Sequence, residues 1–135
     1  MIPLAAPGRI LLDFEKASIS SFKTAFPHAD ILGCYFYLTH SIIQIVNEIG
    51  MKMDYECNDN LRTAVLCLPA FAMVQPIDVI DFFRTLADIM PDHDNMAELL
   101  SYFEHTYIRG RRKPGLCEHY GPALFPIQSW NHYDI

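Results

Sequence analysis

The chain has 135 residues, the size of one domain, and leaves no room for a second core. Hydrophobic residues make up 51% and charged residues 19%, a balance that builds a buried core and excludes general disorder. Ten Lys and Arg stand against 16 Asp and Glu, a net charge of −6, which argues against a protein coated in nucleic acid while leaving room for a local basic patch.

Residues 1–8 hold two prolines and no basic stretch, so they read as a disordered lead rather than a secretory signal. The longest apolar run, residues 64–74, has Pro69 inside it and falls well short of the roughly 20 residues a bilayer span needs, so no membrane partner is expected. Without secretion, Cys34, Cys57, Cys67 and Cys117 are expected as reduced thiols, in the nucleus or the cytoplasm.

Ile10-Leu11-Leu12 ends at Asp13 and reads as a short buried strand. Phe14, Ala17, Phe22, Ala25 and Phe26 fall largely at helical spacing, and Pro27 stops that helix. Ile31-Leu32 is a second strand reaching Gly33-Cys34, so residues 9–37 read as strand, helix and strand, the βαβ pattern of an α/β layer.

The next stretch, residues 38–108, reads as helical. Tyr35, Leu38, Ile42, Ile45, Val46 and Ile49 step by three and four, and Gly50 is placed to close the helix. Leu61, Ala64, Val65 and Leu68 mark another helix, with Asn58 or Asp59 as its N-cap and Pro69 near its end. Pro76 sits where a helix can begin, and Val79, Phe83, Leu86 and Met90 continue one face. Asn95 with Glu98 resembles a capping box leading into Met96, Leu99, Leu100, Phe103 and Tyr107. From Arg109 onward glycine and proline recur, and residues 109–135 read as an extended coil tail with Trp130 as its anchor on the body. Phe22, Phe26, Phe36, Phe82, Phe83, Phe103 and Tyr107 are expected mainly in the core, since they are not interleaved with cations as a base-stacking platform would be.

Eight short words follow one another in a telling order. They are Asp13-Phe14-Glu15-Lys16-Ala17, Ala25-Phe26-Pro27, Gly33-Cys34-Tyr35-Phe36-Tyr37-Leu38, Glu48-Ile49-Gly50-Met51, Leu68-Pro69-Ala70-Phe71-Ala72, Asp78-Val79-Ile80-Asp81-Phe82-Phe83, Tyr102-Phe103-Glu104-His105-Thr106-Tyr107-Ile108 and Trp130-Asn131-His132-Tyr133-Asp134. Together they resemble the Mutator-like element (MULE) transposase domain, in the form found beside FLYWCH zinc fingers in animals, over residues 9–134. The resemblance implies an α/β, helix-rich chain: a partial RNase H-like unit followed by a helical region and a coil tail.

The family resembles RNase H-like enzymes that cut and join DNA with an Asp-Asp-Glu triad. Two Mg²⁺ ions flank the scissile phosphate there, and such hard cations require several carboxylate oxygens on rigid elements. By resemblance Asp13 corresponds to the second carboxylate. The first Asp would lie on an earlier strand, and the Glu in an Asn-Asn-x-x-Glu stretch beyond the Trp-Asn-x-Tyr-Asp word. Neither has a counterpart among the 135 residues, so the chain is expected to be a truncated transposase relative, catalytically inert and without a cofactor of its own. The alternative is a domesticated DNA- or protein-binding module with no enzymatic role.

The family's Cys-x-x-His is here Cys34-x-x-Tyr37, and a phenol with an ordinary pKa of about 10 is a poor replacement for imidazole. His40, one turn on, either substitutes in part or belongs to a solvated face with Gln44 and Glu48. Asp13 has a structural reading too, as N-cap of a helix starting at Phe14 or Glu15, and Glu15 reads as a complement to that helix's dipole. Cys117-Glu118-His119 is tighter than zinc spacing, so no zinc site is expected. Arg109, Arg111, Arg112 and Lys113 concentrate four of ten basic residues in a glycine- and proline-flanked loop, expected to be mobile, that either contacts DNA phosphates or is a solvated charge run or part of a nuclear-localisation signal. A sheet with so few strands exposes an unpaired edge, through which self-association is possible.

Overall fold

The computed structural model describes residues 8–13, 15–115 and 117–134; the lead at residues 1–7 lies outside them. Strand β1 (Arg9–Leu12) pairs in parallel with β2 (Asp30–Gly33), and helix α1 (Lys16–Ala25) makes the crossover. The register runs from Arg9 opposite Asp30 to Leu12 opposite Gly33. Gly8 already belongs to this ladder, because its carbonyl accepts the Asp30 N–H at 3.0 Å. A parallel pair needs a crossover, and Pro27 with its missing N–H forces the turn that ends α1.

Helix α2 (Tyr35–Glu48) follows β2 directly and buries Leu38, Ile42 and Val46, the expected stripe. Its end is a Schellman closure. Gly50 takes φ of +84°, its N–H reaches the Asn47 carbonyl, and the N–H of Met51 bonds Val46 at 2.9 Å. Met51 is thereby driven into the core. The short helix α3 (Lys52–Cys57) has no fully buried side chain and no apolar stripe, which is why the sequence does not announce it. Asn58 then caps α4 (Asp59–Ala70), accepting the Leu61 N–H at 3.1 Å. Arg62 reaches back to the Tyr55 and Glu56 carbonyls and pairs with Asp59, which locks α3 against α4.

Two tight turns, Phe71–Met73 and Pro76–Asp78, lead to α5 (Val79–Ile89). Helix α6 (Met96–Phe103) begins after Asn95, but no capping box forms. Instead the Asn95 amide donates to the Ile49 carbonyl at 2.6 Å, so it ties the start of α6 to the end of α2. His93 sits beside it, with Nδ1 accepting the Asn95 N–H and Nε2 bonded to Asp54 at 2.6 Å.

Helix α6 runs into a π-helical turn, Glu104–Ile108, closed by the Arg109 N–H on the Glu104 carbonyl at 2.8 Å. The wider turn brings both Tyr107 and Ile108 into the interior. There an aromatic cluster forms the centre of the core: Phe71, Phe83, Phe103, Tyr107, Phe125 and Trp130, with neighbouring ring centroids 5.4 to 6.3 Å apart.

The other aromatic expectations are corrected. Phe22, Phe36 and Phe82 are exposed and Phe26 is half-buried, because α1 buries no residue and nothing among the described residues covers the outer faces of α2 and α5. The βαβ unit is peripheral, with Leu11 more than half exposed and one unpaired edge on each strand among the described residues. The chain is therefore helix-rich α/β, with its core in the helical region rather than on the sheet. No helix among the described residues is long and apolar enough to cross a membrane.

Candidate functional site

Two places collect the residues that the sequence singles out. The first is the carboxyl end of the parallel pair, where α/β layers present site residues. Leu12 lies opposite Gly33, and the Cys34 N–H donates to the Leu12 carbonyl at 2.7 Å, so Asp13 and Cys34 leave the two strands side by side.

Asp13 is half-buried, and it is not the cap of α1. That helix begins only at Lys16, Glu15 holds the extended cap conformation, and the Ser18 hydroxyl donates to the Glu15 carboxylate at 3.3 Å. Cys34 is half-buried and occupies the cap position of α2, its carbonyl taking the Leu38 N–H at 2.9 Å. Tyr37 is exposed on the first turn of α2 with its ring edge-on to Phe36. His40 is exposed and stacked on Phe36, as the solvated reading requires. Among the described residues no hydrogen bond joins the side chains of Asp13, Cys34 and Tyr37.

The C-terminal word closes over this end. The indole of Trp130 is fully buried and donates to the carbonyls of Tyr107 and Phe125, at 2.8 and 3.1 Å. The Asn131 amide donates to Phe71 and Val74, at 3.2 and 2.7 Å. His132 makes two contacts: its backbone N–H donates to the Ala72 carbonyl at 2.7 Å, and its Nε2 donates to the Gly33 carbonyl at 2.9 Å. A carbonyl only accepts, so the hydrogen of this bond is carried on Nε2. Sequence reasoning identified Trp130 as an anchor but missed Asn131 and His132. Their signal is an amide and an imidazole next to a buried indole, since loop carbonyls brought into a core need donors. Asp134 lies beyond, lining a cleft of about 310 Å³ with Arg9, Asp30, Gln128 and Asn131.

A two-Mg²⁺ centre does not fit this donor set. Asp13 contributes one carboxylate, and no group of three or more His, Cys, Asp or Glu side chains among the described residues is placed to hold a metal ion.

The second place is the basic segment, which forms the base and one arm of a hairpin. Residues 110–113 run antiparallel to residues 119–121. Gly110 donates to Gly121, Gly121 to Arg111 and Lys113 to His119, at 2.8, 3.1 and 2.7 Å, and Arg112 pairs with Tyr120. The expected mobile loop is thus a hydrogen-bonded ribbon.

Arg109 differs from the other three cations. Its Nε bonds the Glu104 carboxylate at 2.8 Å, and its guanidinium lies 3.7 Å from the centroid of the Tyr120 ring, so it is a strut of the ribbon. Arg111, Arg112 and Lys113 are exposed. On the returning arm, Glu118 accepts from the Tyr120 hydroxyl at 2.9 Å and faces Arg84 of α5 at 3.4 Å. The Tyr120 hydroxyl first, and then Arg84, hold the Glu118 carboxyl below the ordinary carboxylate range, with smaller contributions from Arg109 and Arg112.

Set against family models, curated proteins and solved structures, the chain matches none.

Proposed function

We propose that the chain is a MULE-transposase-derived domain that holds duplex DNA through the 109–121 hairpin and does not cut it. The observation that supports the family reading is the convergence around His132. One residue touches the start of the Gly33–Leu38 word and the end of the Leu68–Ala72 word, while Cys34 in turn bonds the strand that leads to Asp13. Words far apart in sequence, which carry the resemblance, meet at the carboxyl end of the sheet. A partial RNase H-like unit over residues 9–37 accords with the parallel pair, the crossover helix and an Asp just past the first strand.

The DNA reading is supported by the ribbon, which holds Arg111, Arg112 and Lys113 on an ordered arm in an otherwise acidic chain. The major groove admits a two-stranded β-ribbon, and phosphate contacts by such cations release counterions. Inertness is motivated by the lone Asp13.

The test is duplex binding measured across salt concentrations, beside a nicking assay with Mg²⁺ and with Mn²⁺. The expected result is salt-sensitive affinity, lost when Arg111, Arg112 and Lys113 are changed to Glu, and no cleavage. Equal binding by the charge-reversed variant rejects the DNA reading. Cleavage abolished by Asp13→Ala rejects inertness.

A protein-binding role is favoured by one separate feature. Phe82, Leu86 and Ile89 of α5 form one wall of an open apolar groove of about 360 Å³, with Cys67, Ala70 and Val74 opposite. Phe82 and Ile89 are more than half exposed there, an arrangement that suits contact with another polypeptide.

A further inference from the structure

Glu118 stands out because it is an acid placed where the surrounding groups are arranged for an anion. Its Oε1 receives two donors from different parts of the fold, the Tyr120 hydroxyl on the ribbon and the Arg84 guanidinium on α5. The Tyr120 ring is itself held under the Arg109 guanidinium, which the Glu104 carboxylate orients. The Tyr120 donor is therefore positioned before any ligand arrives. Arg112 belongs to the same ribbon, paired through its backbone with Tyr120, and Lys113 follows it. A hydroxyl and a guanidinium converging on one oxygen, with further cations alongside, is the donor set that a tetrahedral phosphate oxygen takes.

We propose that Glu118 is an internal counterion occupying a phosphate-binding site formed by Arg84, Tyr120 and Arg112, and that a phosphate group must displace its carboxylate to bind. The ligand class is a phosphate ester, either the phosphodiester backbone of a nucleic acid or a free phosphate. The inference deepens the DNA reading of the hairpin and extends it to a residue of α5 outside the basic cluster. It also gives a reason for a glutamate on the arm that returns beside the basic stretch of an acidic chain. The carboxylate neutralises Arg84 and occupies the Tyr120 hydroxyl when no phosphate is present, so weak and indiscriminate anion binding is suppressed, and a phosphate held by the rest of the ribbon gains these donors only by exchange.

Because Glu118 is exposed, its removal should leave the core intact, which near-ultraviolet circular dichroism of the aromatic cluster checks. Four proteins are compared: wild type, Glu118→Ala, Arg84→Ala and the double variant. Each is titrated with a short duplex at several salt concentrations and, separately, with inorganic phosphate.

For Glu118→Ala the duplex affinity is expected to rise about tenfold at low salt, the scale of one added charge-assisted hydrogen bond. The salt slope is expected to steepen by about 0.9, the value for one further phosphate contact. Arg84→Ala alone is expected to change duplex binding less than about twofold, because its guanidinium is already occupied, and in the double variant the gain should vanish. A gain for inorganic phosphate alone, again cancelled by Arg84→Ala, supports the site with a free phosphate as ligand and tells against the hairpin as a DNA contact. If Glu118→Ala changes neither titration, or if its gain persists in the double variant, the site is overturned and Glu118 is only one negative charge near DNA. Salt-sensitive wild-type binding lost on reversing Arg111, Arg112 and Lys113 would leave the broader DNA reading standing in that event.

Discussion

The imidazole of His132 donates to the carbonyl of Gly33 across 99 positions of sequence, at 2.9 Å. Gly33 is buried at the end of β2, so its carbonyl has little access to water as an alternative partner. Through this bond the C-terminal segment supports the strand pair that α1 alone leaves peripheral. His132→Ala should cost about 1–3 kcal/mol, the penalty of a buried acceptor left unmade. Urea denaturation measures it. A change below about 0.5 kcal/mol would show that the imidazole bond carries no stability and that the C-terminal segment is held by its other contacts, those of Trp130, Asn131 and the His132 backbone.

Trp130 tests the anchoring from the other side. Trp130→Ala removes a fully buried indole and its two hydrogen bonds to buried carbonyls, and a loss of about 3–5 kcal/mol follows from the cavity alone. That is a large share of a domain's total stability of about 5–15 kcal/mol, so the Ala variant is expected to be only marginally stable. Trp130→Phe keeps an aromatic ring but no donor. It should remain folded with a lower midpoint. Equal midpoints for wild type and Trp130→Phe would mean that the Tyr107 and Phe125 carbonyls do not depend on the indole.

The same residues show what the sequence makes legible. The α2 stripe, the Asn58 cap, the Gly50 closure and the Trp130 anchor are local or periodic, and each is readable because one residue type has few other uses at that place. Asn95 was readable as a cap residue but not as a donor to Ile49, since its partner is 46 positions away. Periodicity identifies which side chains share a face; it does not say whether anything covers that face. Phe36 and Phe82 have core spacing and lie in solvent for this reason. Arg109 reads as one of four equivalent cations until Glu104 and Tyr120 close around it. Asp13 is found at the strand end as its position in the sequence requires, while its capping role depended on a helix start that comes later, at Lys16.

Alkaline pH provides a check on the π-helical turn. Burial pushes the Tyr107 phenol far above the usual 10.0, with the neighbouring Tyr102 adding to the shift, and Tyr102 is raised too, again mainly by burial. A group whose folded pKa lies above its unfolded value contributes stability that is complete below the unfolded value, here about 10, and is lost as pH rises beyond it. Stability should therefore be flat in these two groups up to about pH 10 and fall above it. Ultraviolet difference absorbance should show Tyr102 and Tyr107 ionising together with unfolding. Ionisation of all seven tyrosines in one early step, with the fold retained, would contradict their placement.

Gly110 separates the shape of the ribbon from its charge. A Cβ built there would lie 2.5 Å from the Pro122 carbonyl oxygen and 3.1 Å from the Gly121 carbonyl carbon, both backbone atoms that have no rotamer to yield. Gly110→Ala must then spread the base of the ribbon and break the Gly110 to Gly121 hydrogen bond, although every cation is kept. Tyr120 would no longer be held under Arg109, and an upfield ring-current shift on the Arg109 side-chain protons should diminish. The helical core lies elsewhere, so its circular dichroism should persist. If ordered presentation of Arg111, Arg112 and Lys113 matters, duplex affinity should fall about three- to tenfold at constant net charge, the scale of losing one well-placed contact. Unchanged affinity with a demonstrably opened ribbon would mean that net positive charge alone holds the phosphates, and the hairpin geometry would then have no part in binding.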